Sequence, residues 1–454
     1  MPASLIDSLA TTPPLAELFS DRSVLQAMLD FEAALARAEA RLGLVPQSAA
    51  DAIAVAAKAE AFDLATLSHD ILRAGTPGIP LAKALTEKVR ASNPDAAGYV
   101  HWGATSQDVA DTALILLLKR AQPVLQNDID HLDQALRNLA DQHAKTVMLG
   151  RTLMQAAPPV TFGLKAAGWL AAILRGSNHL KTSFAGALVV QCGGASGTLA
   201  SLGAKGVSVA RGVAEELGLG LPEAPWHTHR DRLAALVCAC GVLTGSLGKM
   251  ARDISLLSQN EITEVAEPGG KGRGGSSTMP HKRNPIGCAL ALAAATRVPG
   301  LVATFLSGMM QENERGVGGW QAEWPVIKVV VEATGVAVAS MAEVAEGLNV
   351  DARKMRDNIE ATQGTIFAER AVMLLGEKLG RDAAHQLLEE ATKQSTAQKR
   401  HLAEVLGEMP KVKEQLGVGL LRDLEIPEQY LGSADEFRKC LLSASDKDAE
   451  QENA

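Results

Sequence analysis

Apolar residues recur along most of the chain at alternating steps of three and four, the spacing that places them on one face of an α-helix. The first long run comprises Leu114, Leu118, Ala121, Leu125, Ile129, Leu132, Leu136 and Leu139. We expect Pro123 to kink or restart this helix. The second run is an unbroken heptad comprising Leu233, Leu236, Cys240, Leu243, Leu247, Met250, Ile254 and Leu257. No proline lies between Trp226 and Glu267, so this run predicts one long helix that ends at Pro268.

Three further segments carry the same helical spacing. Ser20 is the expected N-cap of a helix that ends near Gly43. Segments 286–310 and 325–348 predict two helices of a bundle, the first of them bent at Pro299. Apolar residues on more than one face of the last helix are Val329, Val330, Val331, Val336 and Val338. Because such faces would be left exposed on a single chain, we expect a helical core shared between several chains.

These patterns predict an all-α protein of three helical domains. Residues 1–110 form the first domain, and residues 111–350 form a central long-helix bundle that includes a glycine-rich loop at 269–285. A more charged segment, 351–454, predicts a small C-terminal helical domain. Its last ten residues, 445–454, are too polar to pack and are expected to be frayed.

Composition supports this interpretation and narrows the function. Aromatic residues make up only 3% of a chain that is 47% hydrophobic, which favours packed helices over a sheet-rich core. With 44 basic and 52 acidic residues, the net charge of −8 argues against nucleic acid or an anionic membrane as a partner. No apolar run is expected to reach the length of a membrane span. The start of the chain lacks the features of a secretory signal, and its five cysteines form no CxxC pair, so we expect a cytoplasmic protein.

The segment from Gly274 to Pro285 has the composition of an anion-binding loop. Its glycines allow backbone N–H groups to turn inward, Ser276 and Ser277 add hydroxyls, and Lys282 adds positive charge. Such a loop could hold a carboxylate. A glycine-rich run is more often a flexible connector between two helices, and composition alone does not override that interpretation.

Two other short segments interrupt the apolar helices with polar residues. The first, 101–108, contains His101, Thr105 and Ser106, and the second, 150–163, contains Arg151, Thr152 and Gln155. Taken alone, each histidine is as compatible with a structural role as with catalysis, whereas a carboxylate clamp is at least as good an interpretation of Arg151 as a surface role. The His227-x-His229 pair lacks a third clustered ligand, so we predict no metal site.

The loop sequence Gly-Ser-Ser-x-Met-Pro-x-Lys-x-Asn-Pro, at 275–285, resembles the signature of the fumarase/aspartase superfamily. Members of that superfamily add or eliminate groups beta to a carboxylate. The resemblance implies that the three polar segments, far apart in sequence, meet in one active site built from different subunits of a homotetramer.

Within the superfamily, other elements resemble the branch that contains adenylosuccinate lyases and cycloisomerases. These are Ser68-His69-Asp70, His101 with the Thr105-Ser106 pair, and His229-Arg230-Asp231-Arg232. The lyases of that branch usually carry a proton-donating histidine where this chain has Leu153, and a leucine cannot move a proton. The segment around Leu153 is instead similar to that of the bacterial cycloisomerases.

That resemblance implies an isomerase that closes 3-carboxy-cis,cis-muconate to 4-carboxymuconolactone, a step of aromatic-compound breakdown through protocatechuate in the β-ketoadipate pathway. The substrate is a small tricarboxylate, and no cofactor is implied. The alternatives are a β-elimination of the adenylosuccinate lyase type and a non-catalytic structural protein on the same fold.

The resemblance also implies residue roles. Ser276 is the expected acid/base group, with His101 and His69 as rival proton donors. The expected substrate-binding residues are Lys282, Asn284, Arg151, Thr152, Gln155, Thr105, Ser106, Ser277 and His229.

Overall fold

The computed structural model describes residues 5–270, 272–415, 424 and 426–452, the last nine of these by their backbone alone. The first nine helices are α1 (Pro13–Leu18), α2 (Asp21–Arg41), α3 (Gln47–Ala56), α4 (Leu64–Ala74), α5 (Gly78–Ser92), α6 (Ser106–Gln142), α7 (Phe162–Ala187), α8 (Gly206–Leu217) and α9 (Asp231–Leu257). The remaining helices are α10 (Ile286–Ser307), α11 (Gly319–Glu346), α12 (Ala352–Glu360), α13 (Ala368–Leu379), α14 (Arg381–Gln398), α15 (Leu402–Glu408), α16 (Pro410–Gln415) and α17 (Ala434–Glu452).

Four short strands accompany the helices. Strands β1 (Val147–Thr152) and β2 (Gln155–Thr161) form an antiparallel hairpin, and β3 (Val265–Ala266) pairs with β4 (Asn349–Val350). The all-α prediction is confirmed, since these strands are minor additions to a helical protein.

Helix α9 carries the predicted heptad from Leu233 to Leu257, but the predicted continuation to Glu267 is wrong. After Leu257 the apolar repeat gives way to Ser-Gln-Asn, and the chain turns, with the N–H of Thr263 donating to the carbonyl of Gln259. A helix without an apolar face has little tertiary packing to hold it, so it ends where the repeat ends.

The structure also tests the predicted N-cap of α2 and the predicted effect of Pro123 on α6. The Ser20 side chain accepts a hydrogen bond from the N–H of Ser23, which confirms the N-cap of α2. Helix α6 passes through Pro123 without a restart. Residues 445–452 continue α17, while 453–454 lie outside the described residues and the side chains of 444–452 are not described, so the frayed end stays a prediction.

The chain divides into two compact units, each assembled from three stretches. The first unit comprises 1–130, 176–248 and 290–339, and the second comprises 131–175, 249–289 and 340–454. In the first unit, α2, α3, α5 and α8 enclose an apolar core. In the second, one core lies among α13, α14 and α15 and another forms between β1 and the segment around Phe367. The three contiguous domains expected from sequence are a different division and stay a prediction.

Three helices are long and apolar enough to cross a membrane by length and composition, so the expectation that no apolar run reaches that length is wrong. In α9 and α11, 61% and 72% of the most apolar window is buried, whereas in α10 only 28% is buried. Helix α10 therefore presents an apolar surface that this chain alone does not cover.

A buried ionic cluster lies in the first unit. The Arg230 guanidinium donates to both carboxylate oxygens of Asp111, at 2.8 and 3.1 Å, and to Glu323, at 2.7 and 2.9 Å. Burial alone would lower the pKa of Arg230, but the two carboxylates raise it, so the guanidinium stays charged. The indole Nε1–H of Trp320 also donates to Oδ1 of Asp111, at 2.9 Å. The cluster therefore ties the start of α6, the residue before α9 and the first turns of α11 together.

Replacing Arg230 with leucine should lower the free energy of unfolding by about 3–5 kcal/mol, because two buried carboxylates lose their partner. Urea denaturation followed by circular dichroism measures the change. The matched control is Arg232→Leu, two residues along the chain, whose partner Glu223 is 86% exposed. A surface pair of that kind contributes about 0–1 kcal/mol. Equal losses for the two variants would contradict the interpretation.

Candidate active site

The glycine-rich loop is closed at its base by a contact between Gly274 and Asn284. The N–H of Asn284 donates to the carbonyl of Gly274 at 2.8 Å. Gly274 has a left-handed φ of +64°, and a Cβ at this position would lie 2.7 Å from the carbonyl oxygen of Asn284. Glycine is therefore required here for two reasons, since both the backbone conformation and the close approach exclude a side chain.

Ser276 lies within the loop with its hydroxyl oxygen directed at backbone donors. Its Oγ accepts from the N–H of Met279 at 3.1 Å and from the N–H of Thr278 at 3.3 Å. Donors aimed at this oxygen stabilise negative charge on it, which is what an acid/base serine needs.

Beneath the loop is a cleft of about 580 Å³ whose lining includes Lys282, Arg283, Arg273 and Asn284. Arg273 is neutralised by Glu343 and lies 3.8 Å from Glu267. Glu261, Glu267 and Asp351 also line the cleft. Among the described residues, neither Lys282 nor Arg283 is in an ion pair with a carboxylate, so the positive charge available to an anion is that of these two loop residues.

The second predicted segment forms the β1–β2 hairpin, which sequence analysis missed. Thr152 and Gln155 are opposite each other at its end, and both are exposed. The two residues between them, Leu153 and Met154, have φ values of +49° and +66° and are 97% and 72% exposed. Two-residue hairpin turns with positive φ normally carry Asn or Gly, so a local turn signal was lacking. The tip combines strained backbone with exposed apolar side chains.

Arg151, a predicted carboxylate clamp, already holds a carboxylate of its own chain. Its guanidinium donates to both oxygens of Glu264, at 2.6 and 3.0 Å, and the Glu264 side chain is fully buried. Asn358 donates to the same carboxylate at 2.8 Å. This pairing gives Arg151 a structural role, and its binding of substrate stays a prediction.

In the first unit, His101 and His69 have different environments. His101 has a left-handed φ of +59°, and its Nδ1 lies 2.6 Å from Oε1 of the buried Glu32. His69, on α4, is two-thirds exposed and lies 3.5 Å from the carboxylate of Asp70, which is also exposed. The structure therefore gives His101 a fixed orientation that His69 lacks.

Thr105 and Ser106 stand at the start of α6, beside an arginine that sequence analysis missed. Arg315 donates to Thr105 Oγ1 and, at 3.2 Å, to Oε1 of the buried Gln107. Among the described residues its Nε is buried without a partner. Arg315 lies in a polar loop without a recognised motif, 210 residues from Thr105, and no local signal pointed to it.

His227 and His229 do not act as a pair. His227 is buried, and its Nε2 lies 2.8 Å from Asp108, whereas His229 is exposed. Asp108 also accepts from the N–H groups of Gly193 and Gly194, at 3.0 and 2.9 Å. In the part of the chain that the structure describes, no group of three or more His, Cys, Asp or Glu side chains could hold a metal ion.

The candidate residues thus form two sets, each within one unit. The first unit holds His69, His101, Thr105, Ser106 and His229, to which the structure adds Arg315 and Glu32. The second unit holds Arg151, Thr152, Gln155, Ser276, Ser277, Lys282 and Asn284. Together the sets supply cationic and hydrogen-bonding groups suited to a polycarboxylate, and a hydroxyl or imidazole able to move a proton.

Comparison with known proteins agrees with the superfamily whose signature the loop sequence resembles. A family model described as lyase matches residues 8–300, and one described as adenylosuccinate lyase C-terminus matches 364–439. The chain belongs to this lyase family, within the fumarase/aspartase superfamily.

Individual relatives indicate a narrower group of enzymes within this family. A 3-carboxy-cis,cis-muconate cycloisomerase of Bradyrhizobium diazoefficiens is 46% identical over 450 residues, covering 97% of this chain and all of the relative. The crystal structure of the 3-carboxy-cis,cis-muconate lactonizing enzyme from Pseudomonas putida superposes with a TM-score of 0.92, at 47% identity, over 98% of this chain and 99% of that one. A nitrosuccinate lyase of Streptomyces davaonensis is 40% identical, over 95% of this chain and 94% of the relative. The predicted enzyme class, an isomerase of the cycloisomerase type, is confirmed.

Replacing Gly274 with alanine should open the base of the loop, because the new methyl group would displace the carbonyl of Asn284. We expect faster hydrogen exchange at the N–H of Asn284, measured by mass spectrometry of loop peptides. Gly275→Ala is the matched control, since no atom lies within 4 Å of a Cβ at that position. Unchanged exchange in Gly274→Ala would show that the contact does not hold the loop.

Proposed function

We propose that this protein catalyses the closure of 3-carboxy-cis,cis-muconate to 4-carboxymuconolactone, in the breakdown of aromatic compounds through protocatechuate. The observation that carries the proposal is similarity over essentially the whole chain to enzymes named for that reaction. The hairpin tip agrees with it, because Leu153 offers no group for the proton transfer that the lyases of the superfamily make from this position.

The reaction is an intramolecular addition. One carboxylate oxygen forms a bond to a double-bond carbon, the π electrons move onto a second carboxylate, and the carbon next to that carboxylate then takes a proton. The intermediate is an aci-carboxylate with two negative charges on one group. Donors aimed at those oxygens lower the barrier most, and the loop N–H groups, Lys282 and Asn284 are the proposed donors.

Ser276 is the proposed proton donor to carbon. A free serine hydroxyl is too weak an acid for this at neutral pH, but Ser276 Oγ accepts two backbone N–H groups in a loop that also carries Lys282 and Arg283. Those donors stabilise the alkoxide that remains after the transfer. His101 is the stronger of the two rivals, since His69 is exposed and held only by an exposed neighbour.

Substrate folding is the second task of the site, because the attacking oxygen and the accepting carbon belong to one molecule. Thr105, oriented by Arg315, and Ser106 are proposed to hold one end of the substrate. Thr152, Gln155, Ser277 and His229 are the further proposed contacts. Arg151 would act mainly by fixing the hairpin through Glu264.

We further propose a cytoplasmic homotetramer in which each active site combines residue sets from different subunits. Two exposed apolar surfaces support this assembly, namely helix α10 and the hairpin tip at Leu153 and Met154. A tetramer would cover both and would join the two sets of candidate residues.

The test is turnover of the proposed substrate. Purified protein mixed with 3-carboxy-cis,cis-muconate should remove the diene absorbance. Because the lactone is an isomer of the substrate acid, the product should keep the substrate's mass and be identified by the NMR signals of the lactone ring. Adenylosuccinate, argininosuccinate and nitrosuccinate serve as comparison substrates, the last because of the nitrosuccinate lyase relative. Cleavage of one of these, with carboxymuconate untouched, would replace lactonisation by β-elimination. Turnover of none would favour a non-catalytic protein on this fold.

Ser276→Ala should lower kcat by at least about 100-fold, the usual contribution of a positioned proton donor. The matched control, Ser277→Ala, keeps that donor and should chiefly raise KM. Light scattering should give the mass of four chains for both variants, so that a loss of activity cannot be traced to dissociation. Near-normal kcat in Ser276→Ala would move the donor role to His101.

A further inference from the structure

Glu32, on α2, is a fully buried carboxylate bonded to the imidazole of His101. Its Oε1 lies 2.6 Å from His101 Nδ1, 69 residues away in sequence, while its Oε2 has no partner among the described residues. A carboxylate bonded to one ring nitrogen fixes the proton there and leaves the other nitrogen for a ligand. The His101 side chain is 19% exposed, so part of its ring is accessible.

The other titratable groups near Glu32 and His101 are Glu39, Cys192 and Asp108. Burial raises the pKa of Glu39, one heptad further along α2, to about 8, and the charge of Glu32 adds to the rise. Glu39 is therefore neutral at pH 7. Burial likewise raises the pKa of the Cys192 thiol, so the remaining nearby charge is Asp108, which is held by His227 and two backbone N–H groups.

Glu32 consequently favours the cationic form of His101. Burial alone would lower its pKa, but the charge and hydrogen bond of Glu32, with the charge of Asp108, raise it above the ordinary value. The imidazolium is present below that raised pKa and is lost as the pH rises through it. Below that raised pKa, Nε2 carries a proton that it can donate.

We propose that Glu32 is a positioning residue that keeps His101 as a cationic Nε2–H donor facing a carboxylate of the bound tricarboxylate. The identity of the ligand rests on the proposed function. The pairing of Glu32 with His101, here called the dyad, rests on the described contacts. Glu32 does not touch substrate. It acts by orienting the ring and by stabilising the charge that attracts the anion.

The test compares Glu32→Gln with Glu39→Gln, two isosteric changes on one helix of which only the first removes a partner of His101. Full-length protein labelled with ¹³Cε1-histidine is titrated by NMR, and the His101 signal is assigned with His101→Gln. The midpoint of His101 should move to lower pH in Glu32→Gln and stay at its wild-type value in Glu39→Gln. With 3-carboxy-cis,cis-muconate, the alkaline limit of kcat/KM should move in the same direction.

An unchanged His101 midpoint in Glu32→Gln overturns the proposal, as does a shifted midpoint with an unshifted activity profile. Absence of turnover in the wild type would reject the proposed function, whereas the NMR arm still decides whether the dyad exists. If Glu32→Gln does not fold, Glu32→Asp replaces it. That variant keeps the charge but cannot reach Nδ1, so its His101 midpoint should also lie below that of the wild type, and an equal midpoint overturns the proposal.

Discussion

The placement of Arg230 between Asp111 and Glu323 is the constraint on which the rest of the first unit depends. A guanidinium without solvent contact is unfavourable by several kcal/mol unless carboxylates and hydrogen-bond acceptors surround it. Here both carboxylates are themselves buried, so moving any member of the cluster would leave another buried charge without its partner. Helices α6 and α11 and the start of α9 therefore meet in one arrangement. Apolar packing alone tolerates small sliding movements, whereas this cluster does not.

The same turns of α6 carry the candidate site. Asp108, one turn before Asp111, holds Gly193, Gly194 and His227, and Gln107 joins Asp111 to Arg315. Thr105 is thus fixed through partners that are fixed by the ionic cluster. Rigid support of this kind gives a short polar side chain a defined direction at the end of a helix, which is what orientation of a flexible substrate requires.

Whether an element or a contact could be predicted from the sequence depends on how far apart the interacting residues lie along the chain. The helical repeat from Leu233 to Leu257 and the loop motif around Ser276 are local patterns, and both predicted their elements correctly. The absence of proline up to Glu267 does not predict the end of α9, because the helix ends at Leu257, where the apolar repeat stops. The hairpin gave no signal, since Leu153 and Met154 are unusual turn residues.

Partners distant in sequence could not be found in this way. Glu264 lies 113 residues from Arg151, and Glu32 lies 69 residues from His101. A carboxylate in a helical sequence has the same local appearance whether it is solvated or bonded to a catalytic group. Burial decides between these, and burial is set by the tertiary structure. The pairing with Glu264 therefore adds a structural role for Arg151 that no local pattern predicts, while its binding of substrate stays a prediction.

The tip of the β1–β2 hairpin combines two unfavourable features in the single chain. In the single chain, Leu153 combines a left-handed backbone with near-complete exposure, and each feature is unfavourable by itself. The tight pairing of β1 with β2 and the anchoring of Arg151 by buried Glu264 hold the tip in this conformation. Contact of the leucine with a second surface would remove its exposure. Leu153, which has no group able to move a proton, is thus also an exposed apolar residue that the proposed homotetramer would cover.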